Sequence, residues 1–186
     1  GGLGAASRIG VLVKGSNYLE AAAHAEFVVM DKTGTLTKGV FEVEKVQAAA
    51  EFEGGKERLL KLAAAAESNS SHPISLSLRR AAEAEYGFNV EDFFIKEVTE
   101  IAGHGVSADI DGHAILAGNH KLMNKEGIPF RTPDEAGTVV YVAVDGTYAG
   151  HILIADQIKE DAEEAVSGLR ARGITTVMLT GDNKTA

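Results

Sequence analysis

Apolar residues follow two different patterns along the chain. A short continuous apolar run occupies residues 27–30, and residues 174–179 form a second strand-like segment that is mostly apolar. Such segments are typical of strands buried on both faces of a parallel sheet. Between them, apolar and polar residues alternate at 41–46 and 106–110, and further strand-like segments occupy 113–117, 138–144 and 147–154. Alternation indicates strands with one exposed face. We therefore predict a parallel α/β layer that is interrupted, from about residue 42 to about 155, by an antiparallel α+β insertion.

Turn and helix signals support this division. Asp111-Gly112 and Asp145-Gly146 stand between strand-like segments and predict tight hairpins, since both turn residues need positive φ. We predict helices over 56–68 and from Pro73 to about 86, the second ended by Gly87. A last helix ends at Gly173, its first turns formed by the acidic run 156–164. Its apolar face is predicted to carry Ile158, Ala162, Ala165, Val166 and Leu169.

Composition excludes several classes of function. The formal net charge is -9, which argues against a nucleic-acid surface, because such a surface needs a basic patch. The chain has no cysteine and so no disulfide framework or thiolate metal site. No apolar run approaches the roughly 20 residues that span a bilayer.

Asp31 is the residue with the clearest chemical potential. It opens the string Asp-Lys-Thr-Gly-Thr-Leu-Thr directly after the first apolar run, and open α/β sheets bind ligands at that end of their strands. A carboxylate can attack a phosphoryl group to give an acyl phosphate. Gly34 lets the backbone turn close to the phosphate, and the hydroxyls of Thr33, Thr35 and Thr37 are candidate donors to it.

The whole string resembles the phosphorylation signature of P-type ATPases, and the chain is similar to their heavy-metal branch over nearly its full length. Ser71-His72-Pro73 resembles the histidine-proline motif of that branch, with Glu67 five residues earlier. Gly103 and Gly105 resemble its glycine pair, and Gly118-Asn119 its Gly-Asn pair. Asp156 with Lys159 resembles the hinge motif, and Thr180-Gly181-Asp182 the second phosphate-handling motif.

The resemblance implies a site in two parts. The candidate catalytic residues are Asp31, Lys32, Thr33, Thr180, Gly181 and Asp182. The candidate nucleotide-binding residues are Glu67, His72, Gly103, Gly105, Gly118 and Asn119. Its cofactors would be ATP and Mg²⁺, with Asp31 and Thr33 as the magnesium ligands present in this sequence.

Each secondary motif also has a plainer interpretation. His72 is also a normal residue for a helix start, and glycine pairs commonly mark turns or bulges. Asn119 is also a good helix N-cap. We interpret the remaining histidines, His24, His104, His113, His120 and His151, as structural or solvated.

The resemblance also implies a fold, a location and partners. We expect a partial haloacid-dehalogenase-like parallel sheet (1–41 and 156–186) with an inserted nucleotide-binding domain (42–155). This would be the cytoplasmic part of an integral membrane pump, monomeric as a fragment, binding ATP and ADP. Residues 15–20 and 38–43 look more like the zinc/cadmium/lead pumps than the copper pumps. The transported cation would be bound by membrane helices that are absent from this sequence.

The family's Gly-Asp-Gly loop, which supplies magnesium carboxylates, is also absent from this sequence. We therefore expect the fragment to bind ATP but to form the aspartyl phosphate poorly. Two alternatives stay open. One is a haloacid-dehalogenase-class phosphatase, although such enzymes usually carry a second aspartate where this chain has Thr33. The other is a non-catalytic interaction domain.

Overall fold

A computed structural model describes residues 1–135 and 137–179. The chain divides into two compact units, one formed by Gly1–Lys38 with the chain from Ile158 onward and the other by Gly39–Gln157. The sequence placed boundaries at 41/42 and 155/156, and the assignment of these segments to two functional domains stays a prediction.

Six α-helices occur in the described ranges. They are α1 (Gly2–Arg8), α2 (Ser16–Ala23), α3 (Gly55–Ala66), α4 (Pro73–Tyr86), α5 (His120–Lys125) and α6 (Ala162–Ala171). No helix there combines the length and the apolar character that crossing a bilayer requires. The strands are β1 (Phe27–Asp31), β2 (Thr37–Ala48), β3 (Ile95–Ile101), β4 (Gly105–Ile110), β5 (His113–Gly118), β6 (Thr138–Val144), β7 (Thr147–Ile158) and β8 (Thr175–Leu179).

The Gly39–Gln157 unit is built on a six-stranded sheet in the order β2-β7-β6-β5-β4-β3. The pairs from β3 to β7 are antiparallel, and the two predicted hairpins are confirmed. Asp111 and Gly112 join β4 to β5 with φ of 54° and 83°, and Asp145 and Gly146 join β6 to β7 with φ of 50° and 77°. Helix α4 begins at Pro73, and Gly87, with φ of 61°, caps its C-terminal end, as the sequence predicts.

Helices α3 and α4 supply the main core of this unit. The run Ala63–Ala66 is buried almost completely, with Leu59 and Leu60 beside it at 0% exposure. Alanines let the helix approach the sheet closely, while each fully buried leucine contributes about 1.5–3 kcal/mol. A smaller cluster around Leu122 and Tyr141 forms a second apolar core.

The other unit contains a parallel pair, β1 with β8, in which Asp31 stands opposite Leu179. The predicted parallel pairing is confirmed, but the expectation that both strands are buried on both faces is wrong. Phe27 and Val29 are 62% and 58% exposed, because within the described ranges nothing covers the face that carries them.

The predicted start of the last helix is also wrong. Residues 156–158, including Ile158, form the end of β7, and α6 starts only at Ala162. Strand β7 continues this far because its neighbour β2 is equally long, at 12 residues. The Gln157 side chain donates to the Glu42 carboxylate across this pair.

Candidate functional site

A pocket of about 560 Å³ opens in the Gly39–Gln157 unit. Its lining comes from the α3–α4 loop, the β3–β4 turn, the end of β5 and the start of β6. This volume lies in the range of small-molecule sites. The structure brings the predicted nucleotide-binding residues together in this pocket: Glu67, His72, Gly103, Gly105, Gly118 and Asn119.

Glu67 follows directly after α3 and is half-buried. Its Oε2 accepts a hydrogen bond of 2.7 Å from the Ser75 hydroxyl, which also lies 2.9 Å from Ser70 Oγ. The carboxylate is therefore held in place by α4, and it presents acceptor oxygens at the pocket.

His72 is the N-cap of α4 and has an exposed side chain. Its Nδ1 accepts from the Ile74 backbone N–H at 3.3 Å, so the neutral ring carries its proton on Nε2. His72 therefore does cap the start of α4, as the plainer interpretation holds. This role uses only Nδ1, so the Nε2–H is left as a donor. Capping thus fixes the tautomer that a ligand would meet.

The glycines differ in what they do. Gly105 and Gly118 face each other across β4 and β5, and a Cβ on Gly105 would lie 2.2 Å from the Ala117 carbonyl oxygen. The close packing of β4 against β5 therefore explains why residue 105 is a glycine. Access for a ligand is not needed as an explanation. Gly103 has φ of 71°, and a Cβ on it would meet nothing within 4 Å.

Asn119 has all of its side-chain groups engaged. Its Oδ1 accepts from the Lys121 and Leu122 backbone N–H groups at 2.9 and 3.3 Å, and its Nδ2 donates to the Gly103 carbonyl at 2.9 Å. The side chain is thus the N-cap of α5 and also ties the β3–β4 turn to it. Asn119 builds the pocket wall.

Sequence reasoning missed several residues of the pocket region. Ser75 and Arg79 stand four residues apart in α4 and contact the α3–α4 loop. A search for polar residues at helical spacing on the face of α4 that packs inward would find them. His104, interpreted as structural or solvated, lines the pocket with its Nδ1 2.8 Å from the Ala102 carbonyl oxygen.

The pocket is acidic rather than basic. Glu67 and Glu100 both line it, and among the described residues that form its wall there is no lysine or arginine. Such a lining suits a ligand portion with hydrogen-bond donors and an apolar face. It does not suit a polyphosphate, which needs cations.

Asp31 ends β1 in the other unit and is exposed. The turn Lys32–Leu36 follows, with Gly34 at φ 79°. The buried Thr37 hydroxyl accepts from the Gly34 N–H at 3.0 Å and donates to the Lys32 carbonyl at 3.1 Å. Thr37 therefore braces the turn, which corrects its expected role as a phosphate donor.

Lys159 is also part of this turn. Its Nζ donates to the Gly34 carbonyl at 3.1 Å and its backbone N–H to the Leu36 carbonyl at 2.9 Å. The residue predicted for the hinge motif thus holds the loop that follows Asp31. Thr37 and Lys159 therefore both hold this loop, through bonds to Lys32, Gly34 and Leu36.

The remaining predicted catalytic residues divide into two groups. Lys32 is half-buried and Thr33 is exposed beside Asp31. Thr180, Gly181 and Asp182 lie outside the described residues, although Leu179, just before them, is in register with Asp31. The described part of the chain has no group of three or more histidine or acidic side chains that could hold a metal ion.

Asp31 and Thr33 nevertheless fit a magnesium ion. Both are exposed oxygen-bearing residues at one strand end. Mg²⁺ is commonly bound by one or two carboxylates while phosphate oxygens and water complete its shell. Asp31 supplies one such carboxylate, and Thr33 adds a second oxygen-bearing side chain.

Comparison with known proteins gives one consistent result. The family profile "Hydrolase: haloacid dehalogenase-like hydrolase" matches residues 26–186. A cadmium, zinc and cobalt-transporting ATPase of Bacillus subtilis is 54% identical over 99% of this chain and 26% of its own length. A zinc-transporting ATPase of a Synechocystis species is 48% identical over 99% of this chain and 25% of its own length.

A solved structure gives the same result. The crystal structure of a zinc-transporting PIB-type ATPase in the E2.Pi state matches with a TM-score of 0.76 and 31% identity. The match covers 98% of this chain and 30% of that one. The chain thus spans about a quarter of the length of the curated relatives it matches. It belongs to the haloacid dehalogenase-like hydrolase family, and its relatives there are metal-transporting P-type ATPases.

Proposed function

We propose that the pocket binds ATP, with the adenine end inside it. The observation that carries this proposal is the convergence of Glu67, His72, Gly103 and Asn119 from separate elements on one cavity of about 560 Å³. The relatives are named as ATPases, which agrees with a nucleotide ligand.

The side chains favour an adenine ring. The Glu67 carboxylate, oriented by Ser75, accepts from the exocyclic amino group. The His72 ring stacks on the purine or donates to it from Nε2. Because the described lining has no cationic side chain, the triphosphate extends out of the pocket. Asp31 and Thr33 would hold a magnesium ion, which neutralises phosphate charge when bound.

Asp31 is the proposed phosphoryl acceptor in a protein of the relatives' length. A carboxylate oxygen of Asp31 bonds to the γ-phosphorus while the bond to the β–γ bridging oxygen breaks and ADP leaves. Water later hydrolyses the acyl phosphate and regenerates the carboxylate. Thr33 cannot act as a general acid, so the intermediate lasts longer than in a phosphatase with aspartate there.

The parent protein is proposed to be a membrane-bound metal pump with this chain on the cytoplasmic side. The names of the relatives point to zinc, cadmium or cobalt as its cargo. We propose that segments near 38–41 and 155–159 act as hinges between the part of the chain that binds the nucleotide and the part that carries Asp31.

Calorimetric titration of the 186-residue chain with Mg-ATP tests the binding proposal. We expect saturable binding that is lost or strongly weakened in His72→Ala. His113→Ala is the matched control, because His113 lies at the far end of the β4–β5 hairpin and contacts Asp145. Absence of binding at millimolar ATP would overturn the proposal and favour an interaction domain.

A chimera tests the phosphorylation proposal separately. In it, this chain replaces the matching quarter of the Bacillus subtilis relative. The chimera should incorporate acid-stable label from γ-labelled ATP, and Asp31→Asn should abolish the label. Label that persists in Asp31→Asn would show that another residue accepts the phosphate.

A further inference from the structure

Helix α4 carries two polar residues, Ser75 and Arg79, that contact the α3–α4 loop, which lines the pocket. Arg79 Nη1 lies 2.7, 2.6 and 3.0 Å from the carbonyl oxygens of Glu67, Ser68 and Ser70. The two N–H groups of this nitrogen are therefore shared among three carbonyl acceptors. These carbonyls follow the C-terminus of α3, where backbone acceptors lack helical partners and a positive charge is favoured.

Ser75 stands one helical turn before Arg79 and is 2% exposed. Its hydroxyl contacts the carboxylate of Glu67 at 2.7 Å. Arg79 thus fixes the backbone at Glu67, and Ser75 fixes the side chain of the same residue. Ser75 lines the pocket, whereas Arg79 does not.

We infer that Arg79 and Ser75 are positioning residues that hold the Glu67 carboxylate for the amino group of adenine. The inference rests on the proposed ATP binding. With Arg79, the loop that leads from Glu67 to His72 is anchored to α4 at three carbonyls. Charge-assisted bonds of this kind are stronger than neutral ones, so the carboxylate loses its fixed orientation when they are removed.

Arg80 provides a matched control within the same helix. It is exposed, and its Nε donates to the Leu76 carbonyl of its own helix at 3.4 Å. Arg79→Met and Arg80→Met remove the same charge from adjacent positions. Only Arg79→Met releases the loop.

The test compares ATP with the triphosphate of purine riboside, which lacks the 6-amino group. Calorimetry of the 186-residue chain should show that wild type prefers ATP. Arg79→Met and Ser75→Ala should each weaken ATP binding roughly tenfold while changing binding of the amino-free analogue much less. Arg79→Lys should recover part of the loss, since an ammonium group keeps the positive charge and offers three N–H donors. Arg80→Met should bind both ligands as wild type does.

Several results would overturn the inference. One is a folded Arg79→Met chain with wild-type ATP affinity, and another is equal weakening for both ligands, which indicates general damage to the pocket. If Arg79→Met does not fold, Ser75→Ala decides, and an unchanged preference for ATP counts against the inference. A wild-type chain that binds both ligands equally also refutes it. A wild-type chain that binds neither refutes the proposed function instead.

Discussion

Replacing Gly105 by alanine tests how the floor of the pocket is built. Gly105 has φ of 143°, and a Cβ there would lie 2.2 Å from the Ala117 carbonyl oxygen and 2.5 Å from Gly118 Cα. Carbon contacts are favourable only at about 3.5–4.0 Å, so β4 and β5 would have to separate by about 1 Å. Both obstructing atoms belong to the backbone and cannot rotate away.

The magnitude follows from two contributions. Overpacking costs about 1–3 kcal/mol, and an unfavourable backbone conformation costs a further ~1–3 kcal/mol, so the free energy of unfolding should fall by about 4 kcal/mol. Gly103→Ala is the matched control, because its Cβ would meet nothing within 4 Å. Because Gly103 has φ of 71°, an alanine there costs only the energy of placing a residue with a Cβ in the left-handed conformation, about 1–2 kcal/mol.

Urea unfolding followed by circular dichroism measures the difference. For an m-value of about 2 kcal/mol/M, Gly105→Ala should lower the midpoint by about 2 M and Gly103→Ala by less than about 1 M. Gly105→Ala should also lose ATP binding, since β4 and β5 form part of the pocket. Equal midpoints for the two variants would refute the steric reasoning.

Two further predictions concern buried polar groups. Thr37→Val removes the hydroxyl that accepts from the Gly34 N–H and donates to the Lys32 carbonyl. Thermal unfolding should show that the free energy of unfolding falls by about 1–3 kcal/mol. Substitution of the exposed Thr33 by valine should cost under ~0.5 kcal/mol, and equal costs for the two variants would contradict the bracing role of Thr37. Burial lowers the pKa of His151, which lies 2.7 Å from the Tyr148 hydroxyl. The unfolded chain therefore binds a proton first as pH falls through about 6.5, and stability should decrease from pH 7 to pH 5. Chemical denaturation across that range should give a flatter curve for His151→Gln, and an identical slope would count against this explanation.

The sequence predicted local structure best where one or two residues determine the backbone conformation. The Asp-Gly turns, Pro73 and Gly87 depend on backbone preferences of one or two residues, and each occurs where it was expected. The prediction of burial failed at Phe27 and Val29, because an apolar run indicates only that a strand can be covered. What packs on the strand is determined elsewhere in the chain.

The candidate site was predictable to the extent that motifs describe it. Glu67, His72 and the glycines belong to recognisable strings, and the structure gathers them in one pocket. The supporting contacts of Arg79 and Ser75 were not predictable in this way. They depend on the packing of α4 against the end of α3, so helical spacing marks the two residues as candidates without showing what they contact.

An ATP titration of the isotope-labelled chain, followed by NMR, distinguishes the pocket from the Asp31 turn as the site of nucleotide binding. We expect saturable amide shift changes that cluster at the pocket, at Glu67, His72, Gly103, Gly105 and Asn119. Shift changes confined to Asp31 and its turn, or none at millimolar ATP, would contradict the account.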